Sequence, residues 1–232
     1  MNIDIVIPSI GRQKKLTDSI NSILHGIIKN NVRIYLDFSI KTELHYFLRY
    51  FASIDQIRLN LNTEYKVPEF WNRYLNTCSG DILVYLNDDI LFYPDTISKI
   101  ESYYLKYFPN LDGIIGFNQS NLKSSTNVEA AFGAIGKNYK KRFLDGKVWC
   151  EDYYRLYADK ELELFAKSIG KFHYCPEIEI IHYHPAFNKT WEDNTHNDVR
   201  KYLAGDRETF KKRQAMGLLW GRDNQLINQK EK

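Results

Sequence analysis

Two spacings of apolar residues alternate along the first half of the chain. Residues 3 to 8, IDIVIP, form a short apolar run closed by Pro8. The following SIGRQKKLTDSINSILHGI carries Leu16, Ile20, Ile23, Leu24 and Ile27 at helical spacing. The pattern predicts a strand and then a helix. It repeats: VRIYLDFS reads as a strand, KTELHYFLRYFASI as a helix, IRLNL as a strand, PEFWNRYLNTCSG as a helix with Pro68 at its start, and DILVYL as a strand. A helix over roughly residues 94 to 107 and a strand at DGIIGF follow. Such alternation implies an α/β fold, Rossmann-like, with a mostly parallel sheet and flanking helices.

The second half is less regular. The polar stretch 118–127, NQSNLKSSTN, has no periodicity and is expected to be a mobile loop. AAFGAIGKNYKKRF predicts a strand and turn, and residues 149–170 a helix stopped by Gly170. KFHYCPEIEIIHYHP then predicts a strand. No linker or internal repeat divides the chain, so one domain is expected.

Composition narrows the function classes. The 232 residues suffice for a sizeable core, and 44% hydrophobic content is ordinary for a globular protein. Against 32 Lys and Arg stand 29 Asp and Glu, and the net +3 falls short of a dedicated nucleic-acid binder. Cys78, Cys150 and Cys175 lack the paired spacing of zinc ribbons or disulfide frameworks, which fits a reducing compartment. The opening apolar run is too short for a signal-peptide core, and no later run could span a bilayer, so a cytoplasmic location is expected. Seventeen Tyr, 13 Phe and 4 Trp suit sugar or base stacking as well as an ordinary core.

Candidate chemistry begins at LVYLNDDILFYP, where an apolar strand ends in Asn87, Asp88 and Asp89. Asn and Asp are common turn formers. Adjacent carboxylates at a strand end also repel one another unless a cation neutralises them, and hard oxygen ligands suit Mg²⁺ or Mn²⁺. Ligands of open α/β sheets sit at the carboxyl ends of the strands, where these residues fall. EIIHYHP adds His182 and His184, two apart and so on one face if the strand continues to Pro185; neutral imidazole is a reasonable Mn²⁺ ligand. His184, nearer the strand end, is favoured.

IVIPSIGRQKKLTDSINSIL and FWNRYLNTCSGDILVYLNDDI resemble the GT-A glycosyltransferases, especially the inverting enzymes of glycosyltransferase family 2, over roughly residues 2 to 185. In that resemblance Asn72 precedes Gly80 and Asp81 at the family's distance, and Asn87, Asp88 and Asp89 fall on its Asp-X-Asp motif with Asn87 replacing the first acid. It implies Asp89 as a metal ligand, Asp88 beside the sugar diphosphate, Asp37 at the nucleobase, and Pro8 and Arg12 bordering the nucleotide pocket. Asp159, expected to open a helix, would be the catalytic base, with a metal-binding histidine from the HYH segment. Glu161 lies about 200° round the helix from Asp159 and cannot share its site; Asp152, with Glu151 behind it, is the next candidate. Residues 1–117 would then bind nucleotide sugar, 118–185 form the acceptor and catalytic half, and 186–232 a C-terminal helical extension.

The resulting expectation is a metal-dependent (Mn²⁺ or Mg²⁺) inverting transferase, moving sugar from a UDP-hexose to a glycan or glycoconjugate. The 118–127 loop, the turn at residues 137–143 and a tail containing Trp191 would face the acceptor. GDRETFKKR loosely resembles the ends of small viral and phage glycosyltransferases, so hydroxylated DNA bases are an alternative acceptor, reached through Lys140, Lys141 and Arg142. An amphipathic helix packed on the domain accounts for Phe210, Arg213 and Met216 equally well. An inactive nucleotide-sugar or nucleic-acid binding module is the other alternative. A nucleotidyltransferase is disfavoured, because PSIGRQKK lacks a Gly-rich phosphate cradle.

Overall fold

A strand buried at every position belongs in the middle of a sheet covered on both faces, and β1 (Ile3–Ser9), apolar but for Asp4 and Ser9, is buried along its whole length. The computed structural model describes residues 1–10, 12–27, 31–39, 41–62, 66–119, 128–143, 145–183 and 194–217, without the side chains of 41–43 and 194–200. β2 (Val32–Phe38) and β4 (Ile82–Tyr85) flank β1 in parallel, and β3 (Ile57–Leu61) lies parallel outside β2. Beyond β4 come β7 (Gly133–Gly136), β6 (Ile114–Asn118), β8 (Phe172–His182) and β5 (Ile90–Phe92), in the order β3-β2-β1-β4-β7-β6-β8-β5. β7 and β5 run antiparallel to their neighbours. The mostly parallel α/β architecture expected from the sequence is borne out.

Side chains alternate across the sheet with period two, and the core divides accordingly. Ile3, Ile5 and Ile7 of β1, with Ile82 and Val84 of β4, join one cluster; Val6, Leu83 and Tyr85 join the other. Helices α1 (Gln13–His25), α2 (Lys41–Phe51) and α4 (Thr96–Tyr107) cover the first through Leu16, Ile20, Ile23, Phe47, Ile100 and Tyr104. Helices α3 (Val67–Thr77), α5 (Ala158–Ser168) and α6 (Asn194–Ala215) cover the second through Phe70, Trp71, Leu162 and Phe210. The sheet is therefore packed on both sides. No described helix is long and apolar enough to cross a membrane.

Gly80 and Asp81 set the start of β4. The Gly80 N–H donates to the buried Asp4 carboxylate at 2.7 Å, and a Cβ on Gly80 would stand 2.7 Å from that same oxygen. Arg33 closes Asp4 from β2 at 2.7 Å. A buried carboxylate is tolerated only when paired in this way.

The structure corrects two local expectations. β5 has only three residues, too few for periodicity to reveal. The helix expected over 149–170 begins only at Ala158, after Tyr157 in the left-handed region at φ 69°. Trp149, Cys150 and Tyr153 are buried in an irregular segment, so their apolar spacing reflects packing rather than helical turns. Asp159 is consequently not the N-cap: Tyr157 holds that place, and no side chain caps the helix. Gly170, at φ 66°, ends it as expected. In the tail, Phe210 and Arg213 are buried whereas Met216 is exposed.

Candidate active site

The carboxyl ends of β1 and β4 converge on the adjacent acids. Asp88 and Asp89 occupy the turn between β4 and β5 and are both buried. Ser9, the last residue of β1, donates its hydroxyl to Asp88 at 3.0 Å. Arg12, one residue before α1, donates Nη1 to Asp89 Oδ2 at 2.8 Å and pairs through Nη2 with Asp88. Arg12 is thus neither solvated nor loose on the helix surface. It is the counterion that lets two neighbouring carboxylates exist in the interior.

The other side of the pair comes from β8. β5 pairs antiparallel with β8 so that Ile90 lies opposite His182, and the Tyr183 N–H donates to the Asp89 carbonyl at 2.9 Å. This register brings His182 Nε2 to 3.5 Å from Asp89 Oδ1. Its Nδ1 lies 3.0 Å from Gln119 Oε1, a contact that orients the ring against Asp89. Phe132 meets the ring edge-on at 5.0 Å. Burial alone would raise the pKa of Asp89, but the His182 ring and Arg12 hold it well below the usual carboxylate range. Burial raises Asp88, against the pull of Arg12.

A second polar cluster lies at the end of β2. Register places Asp37 beside Pro8 of β1. The Tyr74 hydroxyl donates to Asp37 Oδ2 at 3.2 Å while accepting from Asn60 at 2.7 Å, and Arg73 stands 3.7 Å from the same oxygen. Asp37 Oδ1 is buried and has no hydrogen-bond partner among the described residues. Burial raises the Asp37 pKa, opposed by Arg73 and Tyr74. Such an oxygen awaits a donor.

Asp159 lies in the first turn of α5, half-buried, its carboxylate accepting the Lys160 N–H at 2.8 Å. Burial pushes its pKa up to about 6, and the Glu163 charge adds to this, while the Lys160 N–H and ammonium oppose it. The Asp159 charge helps burial to raise the pKa of Tyr85, the last residue of β4.

No protein-family model matches the chain, and no curated protein matches its sequence. Solved structures do match. The chain superposes on S. aureus TarS 1–349 with a TM-score of 0.60 at 10% identity, covering 76% of this chain and 58% of that one. The complex of the same protein with UDP-GlcNAc gives 0.59 at 9% identity, covering 76% and 56%. A mannosyltransferase from Pyrobaculum calidifontis, PcManGT, in complex with GDP-Man and Mn²⁺, gives 0.57 at 11% identity, covering 78% and 56%. The chain has the GT-A fold. It spans a little over half the length of these proteins.

On this GT-A scaffold the remaining sequence-derived candidates divide. Asn72 spends its carboxamide within the protein: Oδ1 accepts the N–H groups of Val148 and Trp149 at 2.8 and 2.9 Å, and Nδ2 donates to the Trp149 carbonyl and to Glu151. It shapes the wall rather than offering a free group. Glu151 is further held by Lys147, and Asp152 is an exposed partner of Arg213. Asn87 is half-buried at the end of β4. His184 and Trp191 lie outside the described residues, as do 120–127; His182 is described, and the structure brings it to Asp89. Sequence reasoning missed Ser9 and Gln119, which have no motif spacing and are brought in by strand register alone.

Proposed function

We propose that the chain is a metal-dependent inverting glycosyltransferase that moves a sugar from a nucleotide-sugar donor to a hydroxyl of a glycan or glycoconjugate. The observation that carries this is Asp89 Oδ1 facing His182 Nε2 at 3.5 Å. That oxygen is buried and has no hydrogen bond among the described residues. A buried carboxylate oxygen and an imidazole nitrogen set side by side where two strand ends meet form a donor set that suits Mn²⁺. No cluster of three or more metal-ligating side chains occurs among the described residues; diphosphate oxygens and water would complete the shell. When bound, the ion would act as a Lewis acid, stabilising charge on the departing diphosphate. The GDP-Man and Mn²⁺ complex of PcManGT and the UDP-GlcNAc complex of TarS support this reading.

The chain's own groups then divide the work. Asp37 accepts an N–H of the nucleobase, with Pro8 forming the adjacent wall; uridine diphosphate is the default carrier. Arg12 holds Asp88 and Asp89 in place. Asp159 accepts the proton of the acceptor hydroxyl as its oxygen attacks the anomeric carbon, and the bond to the diphosphate breaks with its electron pair leaving on the nucleotide. One displacement inverts the anomeric configuration. Residues 1–117 would serve the donor, 118–185 the acceptor and catalysis, and 186–232 would be a helical extension, in a cytoplasmic protein whose three cysteines are all free. The DNA alternative loses support because Lys140 donates to the Leu75 carbonyl and Arg142 pairs with Asp112, leaving only Lys141 of the three exposed.

A thermal-shift screen of UDP- and GDP-hexoses tests the proposal, since a ligand selective for the folded state raises apparent stability. A shift that requires Mn²⁺ is expected; shifts indifferent to EDTA would refute the metal assignment. Gln119→Ala should weaken Mn²⁺ binding about 10- to 100-fold, read by Mn²⁺ electron paramagnetic resonance, as removal of a ligand's supporting partner does elsewhere. Unchanged affinity would remove Gln119 from the site. Asp37→Asn should weaken UDP about 10-fold or more by calorimetry, the loss of a hydrogen bond to a charged acceptor; equal affinity would place the base elsewhere.

A further inference from the structure

Asp206 is a charged residue in the middle of α6, yet only 4% of its surface is exposed. Its two carboxylate oxygens accept three successive backbone N–H groups, of Tyr154 at 2.8 Å, Arg155 at 3.0 Å and Leu156 at 2.7 Å. Successive amides gathered around one anion form a nest, and here the anion belongs to the chain itself. Tyr157 follows in the left-handed region, and Asp159 comes two residues later.

The grip of α6 extends to both sides of that turn. Arg213 pairs with Asp152 at 2.9 Å and with the buried Glu161 at 2.8 Å. Tyr202 stacks on Tyr154 at 3.5 Å, and Phe210 stacks on Tyr157 at 5.2 Å. Residues 149–157 carry apolar spacing compatible with an N-terminal extension of α5. In the structure the amides of 154–156 instead belong to Asp206, so the helix cannot grow backward and Asp159 stays in its first turn.

We propose that Asp206 is a positioning residue for Asp159: α6 completes the catalytic site by holding the 154–157 turn. The inference rests on Asp159 being the base of the proposed transfer. Asp206 touches no substrate in this scheme. Its effect passes through backbone geometry, where a displacement of about 1 Å can cost up to 100-fold in rate.

The test uses the full chain, Mn²⁺ and whichever of the UDP- and GDP-hexoses gives the largest thermal shift, with hydrolysis of that donor as the assay. Asp206→Asn keeps the shape but removes the charge. It should lower kcat about 10- to 100-fold with donor KM unchanged, Asp206→Glu should recover part of the loss, and in an Asp159→Asn background Asp206→Asn should add nothing. Tyr202→Ala, which removes only the stack on Tyr154, should lower kcat about threefold and provides the readout if Asp206→Asn does not fold. Wild-type kcat in either folded variant, or a loss that multiplies with that of Asp159→Asn, would overturn the positioning role. Wild-type turnover in Asp159→Asn would overturn the base assignment itself, and this inference with it.

Discussion

Asp159→Asn is expected to lower turnover by about 10²- to 10⁴-fold while leaving donor affinity intact, the range over which a positioned general base contributes. The argument is electrostatic. Burial and the Glu163 charge raise the Asp159 carboxyl to a pKa of about 6, against the Lys160 N–H and ammonium. A base of that strength is ionised at neutral pH and still accepts a proton better than an ordinary aspartate. Activity should therefore rise with pH through about 6 and fall to about one-tenth at pH 5. Stability should run the other way. A carboxyl whose pKa is raised on folding favours the folded state below its ordinary pKa, and that contribution is lost as pH climbs through about 6. Asp159→Asn should thus be at least as stable as the wild type at pH 7.5. A dead enzyme with an unchanged or raised melting temperature is expected; wild-type turnover, with Asp152→Asn inactive instead, would move the base to Asp152.

Asp89→Asn should abolish the Mn²⁺-dependent part of donor binding and reduce turnover by about 10³-fold or more, since Lewis-acid stabilisation of a leaving diphosphate is worth several kcal/mol and each 1.36 kcal/mol is a factor of ten. The substitution leaves Arg12 with Asp88 as its partner, so the buried guanidinium does not lose its only carboxylate. The fold should survive, and apparent Mn²⁺ affinity measured on the folded variant isolates the ligand role. Retained Mn²⁺ affinity together with full turnover in EDTA would mean that Arg12 neutralises the pair unaided.

Much of the architecture was legible wherever one periodicity ruled a segment. The alternation through residue 117 predicted the parallel core because β1 and β4 are mostly apolar runs buried on both faces and β2 buries Val32, Ile34, Leu36 and Phe38 beside them. Segments governed by distant partners were not legible. Residues 149–157 carry helical spacing, but the amides of 154–156 are captured by Asp206 some 50 positions away, a competition no local pattern expresses. The histidine depended on register. The pairing of Ile90 with His182 sets that ring beside Asp89, and no spacing within the HYH segment expresses it. Arg12 illustrates the same limit: its charge was visible at the head of α1, but its role as counterion to Asp88 and Asp89 needed the convergence of two strand ends. Asn72 shows the converse, since its spacing to Gly80 and Asp81 suggested ligand binding, whereas its amide is committed to residues 148–151.

Release of nucleoside diphosphate from UDP- and GDP-hexoses by the purified chain, measured with Mn²⁺ and with EDTA, tests the central claim most directly. Release in Mn²⁺ from at least one donor, lost in EDTA and in Asp89→Asn, is the expected result. Release that persists undiminished in both, or none from any donor even in Mn²⁺, would contradict a metal-dependent sugar transferase on this scaffold.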